Sequence, residues 1–197
     1  MKNSELFDYK NLSHRDFFDN YVYPWEVVKN IRKYLSAQKG KNIVGEGTVI
    51  DSSVKIEGRV IIGKNCRISD NVLLRDGVII GDNVRIGHAV EVKNSVILNN
   101  SAIAHFNYIG DSVVGSHINI GGGVITANLR LDREIIKITA GDEHFDTELE
   151  KFGAAIGDGS SIGVNAVLNP GVILGKGSIV YPLTSVVGVF SPNSIIK

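Results

Sequence analysis

A six-residue repeat runs through most of the chain and constrains its fold more than any other feature. Every sixth residue from Val44 to Val92 is aliphatic, and the residues four positions after each of these are aliphatic or small. The frame slips by one residue to continue at Ile97, slips again to continue at Val114, and returns after a gap at Ile156. A hexapeptide period of this length predicts a parallel β-helix, in which three hexads, each a short strand and a turn, close one coil.

The same frame predicts which side chains are buried. The repeated aliphatic residue points inward and stacks on its counterpart in the next coil, about 4.8 Å away, while its neighbours in the strand point outward. The chain has 22 glycines and four prolines, which suits many tight turns between short strands. We therefore expect an all-β fold whose core is a continuous column of aliphatic side chains.

Both ends of the chain fall outside this repeat. Residues 1–40 carry no hexads, and an apolar stripe that begins at Pro24 and ends before Gly40 predicts a helix. We expect this helical segment to cap the open end of the β-helix, which occupies residues 41–190. Residues 191–197 are predicted to form a C-terminal tail.

A long segment, residues 127–153, also interrupts the hexads. Its apolar residues from Ile135 to Ile138 predict a short strand, and the stretch from Asp146 to Phe152 predicts a helical turn. A long excursion from a compact repeat is usually functional, so we expect this loop to lie near a binding site.

Composition excludes several classes of function. The chain has 21 basic and 21 acidic residues, and this zero net charge argues against a general nucleic-acid binder. Its single cysteine excludes a disulfide framework and a cysteine-based zinc site, and indicates a reducing, cytoplasmic location. The first ten residues lack the apolar run of a signal peptide, and no stretch of 18 apolar residues predicts a membrane span.

The repeat frame brings several polar residues together at one edge of the predicted β-helix. Arg75 and Lys93 each follow an inward residue by one position, so they stack on adjacent coils, and Tyr108 projects one coil further on. His105 lies at the corner that leads into this face, and Asn128 lies where the loop departs. Two cations, an imidazole, a phenol and an amide are suited to an anionic, hydroxylated ligand.

A resemblance to a known family rests on three elements between Leu73 and Asn128, namely VEVKN, AHFNYIGD and INIGGGVITAN. They resemble the acetyltransferase domain of the bifunctional enzymes that make UDP-N-acetylglucosamine. The continuation NLRLD and the later KFGAAIGDGSSIG resemble the archaeal-type sugar-1-phosphate nucleotidylyltransferases with acetyltransferase tails. The resemblance covers residues 40–190 and implies a hexapeptide-repeat acyltransferase with a left-handed β-helix.

The resemblance also implies roles for individual residues. It implies that His105 is a general base. It also implies contacts to a sugar phosphate from Arg75, Lys93 and Tyr108. The side-chain amides near the acetyl group and the amino sugar would be those of Asn119 and Asn128. An imidazole accepts a proton near neutral pH, which suits the attack of an amine on a thioester. Asn128, or a backbone N–H just after it, would face the oxyanion that this attack creates.

The chain departs from the family pattern at a few positions. Leu129 stands where the bacterial enzymes carry a tyrosine, and His88 replaces an asparagine. Lys137 stands in for a phosphate-binding lysine of the archaeal-type loop, whereas Glu134 occupies the place of another. From the residues alone, His88 is either a partner of another site residue or a polar residue of the corner.

The implied function is transfer of an acetyl group from acetyl-CoA to an amino sugar phosphate, such as glucosamine-1-phosphate or galactosamine-1-phosphate. Acetyl-CoA would be the co-substrate, and acetyl transfer would need no metal. The family implies a homotrimer with sites between adjacent β-helices, in which acetyl-CoA lies along the C-terminal coils near Val164 and Pro182. The chain lacks a glycine-rich opening of the form L-x-G-G-x-G-T-x-x-x-P, so nucleotidylyl transfer is not expected.

Three alternatives stay open. The acceptor could be a nucleotide-linked amino sugar instead of an amino sugar phosphate. A metal hydrolyase resembling the gamma-class carbonic anhydrases needs three converging histidines, and His88, His105 and His117 lack the required spacing. The chain could also be a non-catalytic binding or assembly module of a sugar nucleotidylyltransferase.

Overall fold

The computed structural model describes residues 1–10, 12, 14–40 and 42–197 as a parallel β-solenoid preceded by short helices. The predicted β-helix and its N-terminal helical segment are thereby confirmed. Each coil has three faces, and strands of successive coils pair in parallel along each face. No helix among the described residues is long and apolar enough to cross a membrane.

One face, which we call the helix-covered face, is made of β1 (Asn42–Val44), β4 (Val60–Ile62), residues 78–80 of β6 (Leu73–Ile80), residues 95–97 of β8 (Glu91–Ile97), β11 (Val113–Val114), β16 (Ala154–Ile156), β19 (Val172–Leu174) and β22 (Val189–Phe190). The charged face is made of β3 (Lys55–Glu57), residues 73–75 of β6, residues 91–93 of β8, β10 (Tyr108–Gly110), β13 (Ile125–Thr126), β18 (Val167–Leu168) and β21 (Ser185–Val186). The third face is made of β2 (Val49–Ile50), β5 (Arg67–Ile68), β7 (Arg85–Ile86), β9 (Ala102–Ile103), β12 (Asn119–Ile120), β17 (Ser161–Ile162), β20 (Ile179–Val180) and β23 (Ile195–Ile196).

The inward column that the hexads predict is present. On the charged face, Leu74 pairs with Val92, which pairs with Ile109, and all three side chains are fully buried. Their counterparts on the other two faces join them in one apolar core that runs along the axis. Burial of this column is the main force that holds the coils together.

The slips of the hexad frame have a structural cause at the corner between the charged face and the helix-covered face. In β6 the chain turns this corner with two residues in the left-handed region, Asp76 (φ 62°) and Gly77 (φ 102°). The next two coils turn it with one such residue each, Asn94 (φ 43°) and Asp111 (φ 48°). Because the corner is one residue shorter, the register of β6 against β8 shifts there and the sequence frame slips.

The N-terminal segment contains α1 (Asn3–Leu6), α2 (Arg15–Asp19) and α3 (Pro24–Ala37). The predicted apolar stripe is the buried side of α3, but the helix does not cap the open end of the solenoid. It packs instead on outward residues of the helix-covered face, including Ile79, Val96 and Val113. The reason is that these outward residues are themselves apolar, so this face needs a cover.

The excursion at 127–153 forms an antiparallel hairpin of β14 (Lys137–Ala140) and β15 (Glu143–Asp146). The helical turn predicted between Asp146 and Phe152 is wrong. The chain there turns at Glu148 (φ 56°) without forming a helix. Thr147 donates a hydrogen bond to the Ile136 carbonyl (2.7 Å), and Phe152 donates one to the Asn128 carbonyl (3.0 Å).

This hairpin packs back on its own chain. The rings of Phe145 and Phe152 lie 5.8 and 6.4 Å from the ring of Trp25 in α3. The hairpin therefore extends the cover over the helix-covered face, and the other two faces carry the candidate site.

At the C-terminus, the segment predicted as a tail continues the solenoid, since β23 pairs with β20.

Candidate active site

The exposed part of the charged face is built around an arginine. Arg75 follows the inward Leu74, and its guanidinium donates to Glu91 Oε1 (Nε, 2.7 Å) and to Asp76 Oδ2 (Nη1, 3.0 Å). Partial burial opposes the charge of Arg75, but the hydrogen bond and the charge of Glu91 outweigh it and raise the pKa of the guanidinium. Arg75 therefore stays cationic, with two carboxylates around it and part of its surface open to solvent.

Next to Arg75, a buried network joins three successive coils at the short corner. Lys93 is 7% exposed and Asp111 4% exposed, and Lys93 Nζ lies 2.7 Å from Asp111 Oδ2. The amides of Asn94 and Asn128 also donate to the Asp111 carboxylate. Hydrogen bonds from neighbouring groups help to offset the cost of burying such a charge pair, and three donors meet at the Asp111 carboxylate.

Tyr108 connects this network to the surface. Its hydroxyl accepts a hydrogen bond from Asn128 Nδ2 (3.1 Å), so both N–H groups of the Asn128 amide are occupied, one by Tyr108 and one by Asp111. Burial, together with the negative charges of Asp111 and Glu91, raises the pKa of the Tyr108 phenol. The phenol thus stays protonated and can donate its own hydrogen.

A second set of residues lies at the corner between the third face and the charged face, and we call it the corner row. In each coil, the residue that follows a member of this row donates its backbone N–H to the carbonyl of the member one coil earlier, at 2.9 to 3.1 Å. Its members, in coil order, are Asp70, His88, His105, Gly122, Val164 and Pro182. The predicted base His105 and the predicted cofactor contacts Val164 and Pro182 therefore share one line along the solenoid.

His105 is exposed, and the space beside its imidazole is kept open by a glycine. A Cβ atom at Gly122 would lie 3.3 Å from His105 Cδ2 and 3.7 Å from Nε2, so the ring lies directly against the Gly122 backbone. Phe106, which is 60% exposed, packs edge-on to the His105 ring at 5.7 Å. The arrangement leaves the imidazole open to a ligand in the corner.

The structure brings some of the predicted site residues together and separates others. Arg75, Lys93, Tyr108 and Asn128 lie side by side at the charged face, and His105 lies at the adjacent corner. Asn119 is on the third face, in β12.

Lys137 lies in the hairpin. It borders a surface pocket formed with Arg130, Glu134 and Asp146. The side chains of this pocket belong to the excursion, not to the charged face or the corner row.

Sequence reasoning missed the acidic partners in this region. Glu91 is the outward residue that pairs in register with Tyr108, Asp111 is the corner residue at the second slip, and Asp70 precedes His88 in the corner row. The frame could have placed Glu91, since it precedes the inward Val92. The described residues contain no group of three or more His, Cys, Asp or Glu side chains arranged to hold a metal ion.

Comparison with known proteins agrees with this architecture. Residues 74–141 match the family model of the GMPPB C-terminal domain, and residues 43–76 match the bacterial transferase hexapeptide model. The resemblance to hexapeptide-repeat transferases is confirmed. These two models together reach from β1 into the hairpin and include the charged face as far as β13.

Curated relatives are similar over part of this chain. The bifunctional protein GlmU of Methanococcus vannielii is 42% identical over 81 residues, which are 41% of this chain and 19% of that protein. The bifunctional sugar-1-phosphate nucleotidylyltransferase/acetyltransferase of Sulfurisphaera tokodaii is 40% identical over 82 residues, 42% of this chain and 20% of that protein. The match thus spans about a fifth of the length of these relatives.

Among solved structures, the UDP-N-acetylglucosamine acyltransferase of Francisella novicida aligns with a TM-score of 0.48 at 18% identity. The alignment covers 73% of this chain and 60% of that chain.

Proposed function

We propose that the chain is an acetyl-CoA-dependent N-acetyltransferase that acts on an amino sugar phosphate, such as glucosamine-1-phosphate or galactosamine-1-phosphate. The observation that carries the proposal is the open imidazole of His105 beside Gly122, in a row that leads to Val164 and Pro182. The name of the Sulfurisphaera tokodaii relative, a bifunctional sugar-1-phosphate nucleotidylyltransferase/acetyltransferase, supports the same substrate class.

The proposed reaction uses His105 as a general base. The free amine of the sugar attacks the thioester carbonyl, a C–N bond forms, and His105 accepts the proton that leaves the nitrogen. The C=O bond of the tetrahedral intermediate then re-forms as its C–S bond breaks, the leaving thiolate takes up the proton that His105 accepted, and the amide remains. An imidazole side chain can act as a general base near neutral pH, which suits this task.

The charged face would bind the sugar phosphate mainly through Arg75. Its guanidinium is partly exposed and can add a phosphate oxygen to its two carboxylate partners, and the Tyr108 hydroxyl can donate a further hydrogen bond. Lys93 is buried against Asp111. In this proposal it therefore holds the buried network in place and contributes positive charge beneath the phosphate-binding surface.

Asn128 and acetyl-CoA have defined places in the same scheme. Because both N–H groups of Asn128 are occupied, we propose that it orients Tyr108 and that a backbone N–H stabilises the oxyanion. Acetyl-CoA would run along the corner row over Val164, which is 48% exposed, and Pro182. Asn119 and Lys137 would reach a ligand from a neighbouring subunit.

A homotrimer is part of the proposal. The third face and the corner row of the C-terminal coils expose several apolar side chains, including Ile179, Leu183 and Ile195, and such surfaces favour association. The hairpin does not add to this argument, because it packs on its own chain. Sedimentation equilibrium should give three times the mass of the chain, and a stable monomer at micromolar concentration would refute the shared site.

Release of free thiol from acetyl-CoA tests the activity. The assay compares glucosamine-1-phosphate, galactosamine-1-phosphate and a nucleotide-linked amino sugar, and the amino sugar phosphates should be the better acceptors. His105→Ala should lower kcat by about 10²-fold or more, whereas the control His144→Ala, which alters an exposed histidine of the hairpin, should leave kcat unchanged. Thiol release that needs no acceptor, or near-normal turnover by His105→Ala, would contradict the proposal.

A further inference from the structure

The corner row carries a second imidazole that the proposed reaction does not use. His88 lies one coil before His105, and its Nδ1 is 2.7 Å from Asp70 Oδ2. The two side chains are 42% and 51% exposed, so the pair is open to a ligand in the corner.

Asp70 determines which nitrogen of His88 carries the proton. A carboxylate accepts hydrogen bonds, so the imidazole donates through Nδ1–H, and in the neutral ring this leaves the lone pair of Nε2 free. Nε2 has no hydrogen-bond partner within the described part of the chain. Phe106 packs edge-on against His88 at 5.3 Å and 88°, which restrains the ring. The pair is thus a directed hydrogen-bond acceptor.

The position of the His88–Asp70 pair in the corner row places it away from the proposed acetyl-CoA site. Phe106 packs edge-on against the rings of both His88 and His105, so the two imidazoles share one aromatic neighbour. Gly122 and Val164 lie on the other side of His105, where acetyl-CoA is proposed to bind. A group bound by His88 therefore belongs to the acceptor, on the coil whose charged-face strand carries Glu91 and Lys93.

We propose that His88 and Asp70 form a binding site for a hydroxyl group of the acceptor sugar, which donates its hydrogen to His88 Nε2. The inference rests on the proposed function, and it makes His88 a specificity residue and Asp70 a positioning residue. A site built to pair with a hydroxyl discriminates strongly against an analogue without it, because the polar group of the protein is then left unpaired.

Kinetics with deoxy analogues test this site. We would measure kcat and KM for the best amino sugar phosphate and for analogues that each lack one hydroxyl. In the wild type, one analogue should lose tenfold or more in kcat/KM, mainly through KM. In His88→Ala this difference should disappear, while the control His117→Ala, at a different corner, should keep it.

Nitrogen NMR gives a second measurement that does not depend on turnover. Long-range ¹H–¹⁵N spectra of the full chain should show His88 protonated on Nδ1 and unprotonated on Nε2. Asp70→Ala should remove this preference and weaken the hydroxyl discrimination in the same assay. A His88 ring protonated on Nε2 in the wild type would overturn the inference.

The outcomes separate this inference from the proposed function. If the wild type acetylates the sugars but His88→Ala lowers kcat/KM equally for the parent sugar and all its analogues, or for none of them, only the hydroxyl site is overturned. If calorimetry shows that the wild type binds the sugars but they are not acetylated, the proposed function is wrong. The hydroxyl site is then tested by comparing the dissociation constants of the sugar and its deoxy analogues between the wild type and His88→Ala. If no amino sugar binds, both are wrong.

Discussion

Replacing Asp111 by Asn should lower the free energy of unfolding by about 3–5 kcal/mol. The carboxylate is buried beside the nearly buried ammonium of Lys93, 2.7 Å away. Removing one partner of such a pair leaves an uncompensated charge in a region that water does not reach. Asn tolerates the left-handed backbone of this corner (φ 48°), so backbone strain should add little.

The size of the effect follows from the number of donors that meet at this carboxylate. Lys93 Nζ, Asn94 Nδ2 and Asn128 Nδ2 all donate to its two oxygens. An Asn side chain offers one acceptor oxygen, and its NH₂ group must face another donor. At least one buried donor is therefore left unsatisfied, at a cost of about 1–3 kcal/mol, in addition to the loss of charge pairing.

Urea unfolding followed by circular dichroism and by Trp25 fluorescence measures this loss. The control is Glu148→Gln, because Glu148 forms an exposed ion pair with Lys29 (2.7 Å) and should contribute about 0–1 kcal/mol. The double variant Lys93→Met, Asp111→Asn should regain much of the stability, since it removes the unpaired charge. A loss below about 1 kcal/mol for Asp111→Asn would refute the reasoning.

Three further predictions concern Arg75, Gly122 and Tyr34. Arg75→Ala should raise KM for the sugar phosphate tenfold or more, on the order of 1.4 kcal/mol, and unchanged saturation kinetics would contradict its role. Gly122→Ala should reduce turnover without loss of stability, because the added methyl lies 3.3 Å from the His105 ring; thiol release and thermal unfolding check this. Burial and Asp16 raise the pKa of Tyr34 to about 12 from 10.0, so folding favours the neutral phenol. The resulting stability is complete below pH 10 and disappears as the pH rises through 12, and Tyr34→Phe should remove this part of the pH dependence of unfolding.

The hexad frame predicted the strands of the solenoid and the neighbours of each inward residue. It could do so because inward packing repeats at a fixed spacing and needs only local information. The placement of Arg75 and Lys93 on adjacent coils followed from the same frame, and the register of β6 against β8 agrees with it. The roles of these residues, and of His105, remain predictions.

The position of α3 was not predictable from its own residues. An amphipathic stripe states that one side of a helix is buried, but it does not name the surface that buries it. The missing signal was on the strands, where Ile79, Val96 and Val113 are apolar at outward positions. The segment from Asp146 to Phe152 was misread as a helical turn for a similar reason, since its course depends on hydrogen bonds to the carbonyls of Ile136 and Asn128.

The sequence by itself determined the period, the inward column and the order of polar residues along each face, because these follow from backbone geometry. The tertiary structure alone decided which charges are paired. The short corner brings Asp111 against Lys93, and the stacking of coils brings Asp70 to His88 and opens the space beside His105 at Gly122. Such contacts depend on rotamers and on the exact turn at each corner, and neither is encoded in a repeat of six.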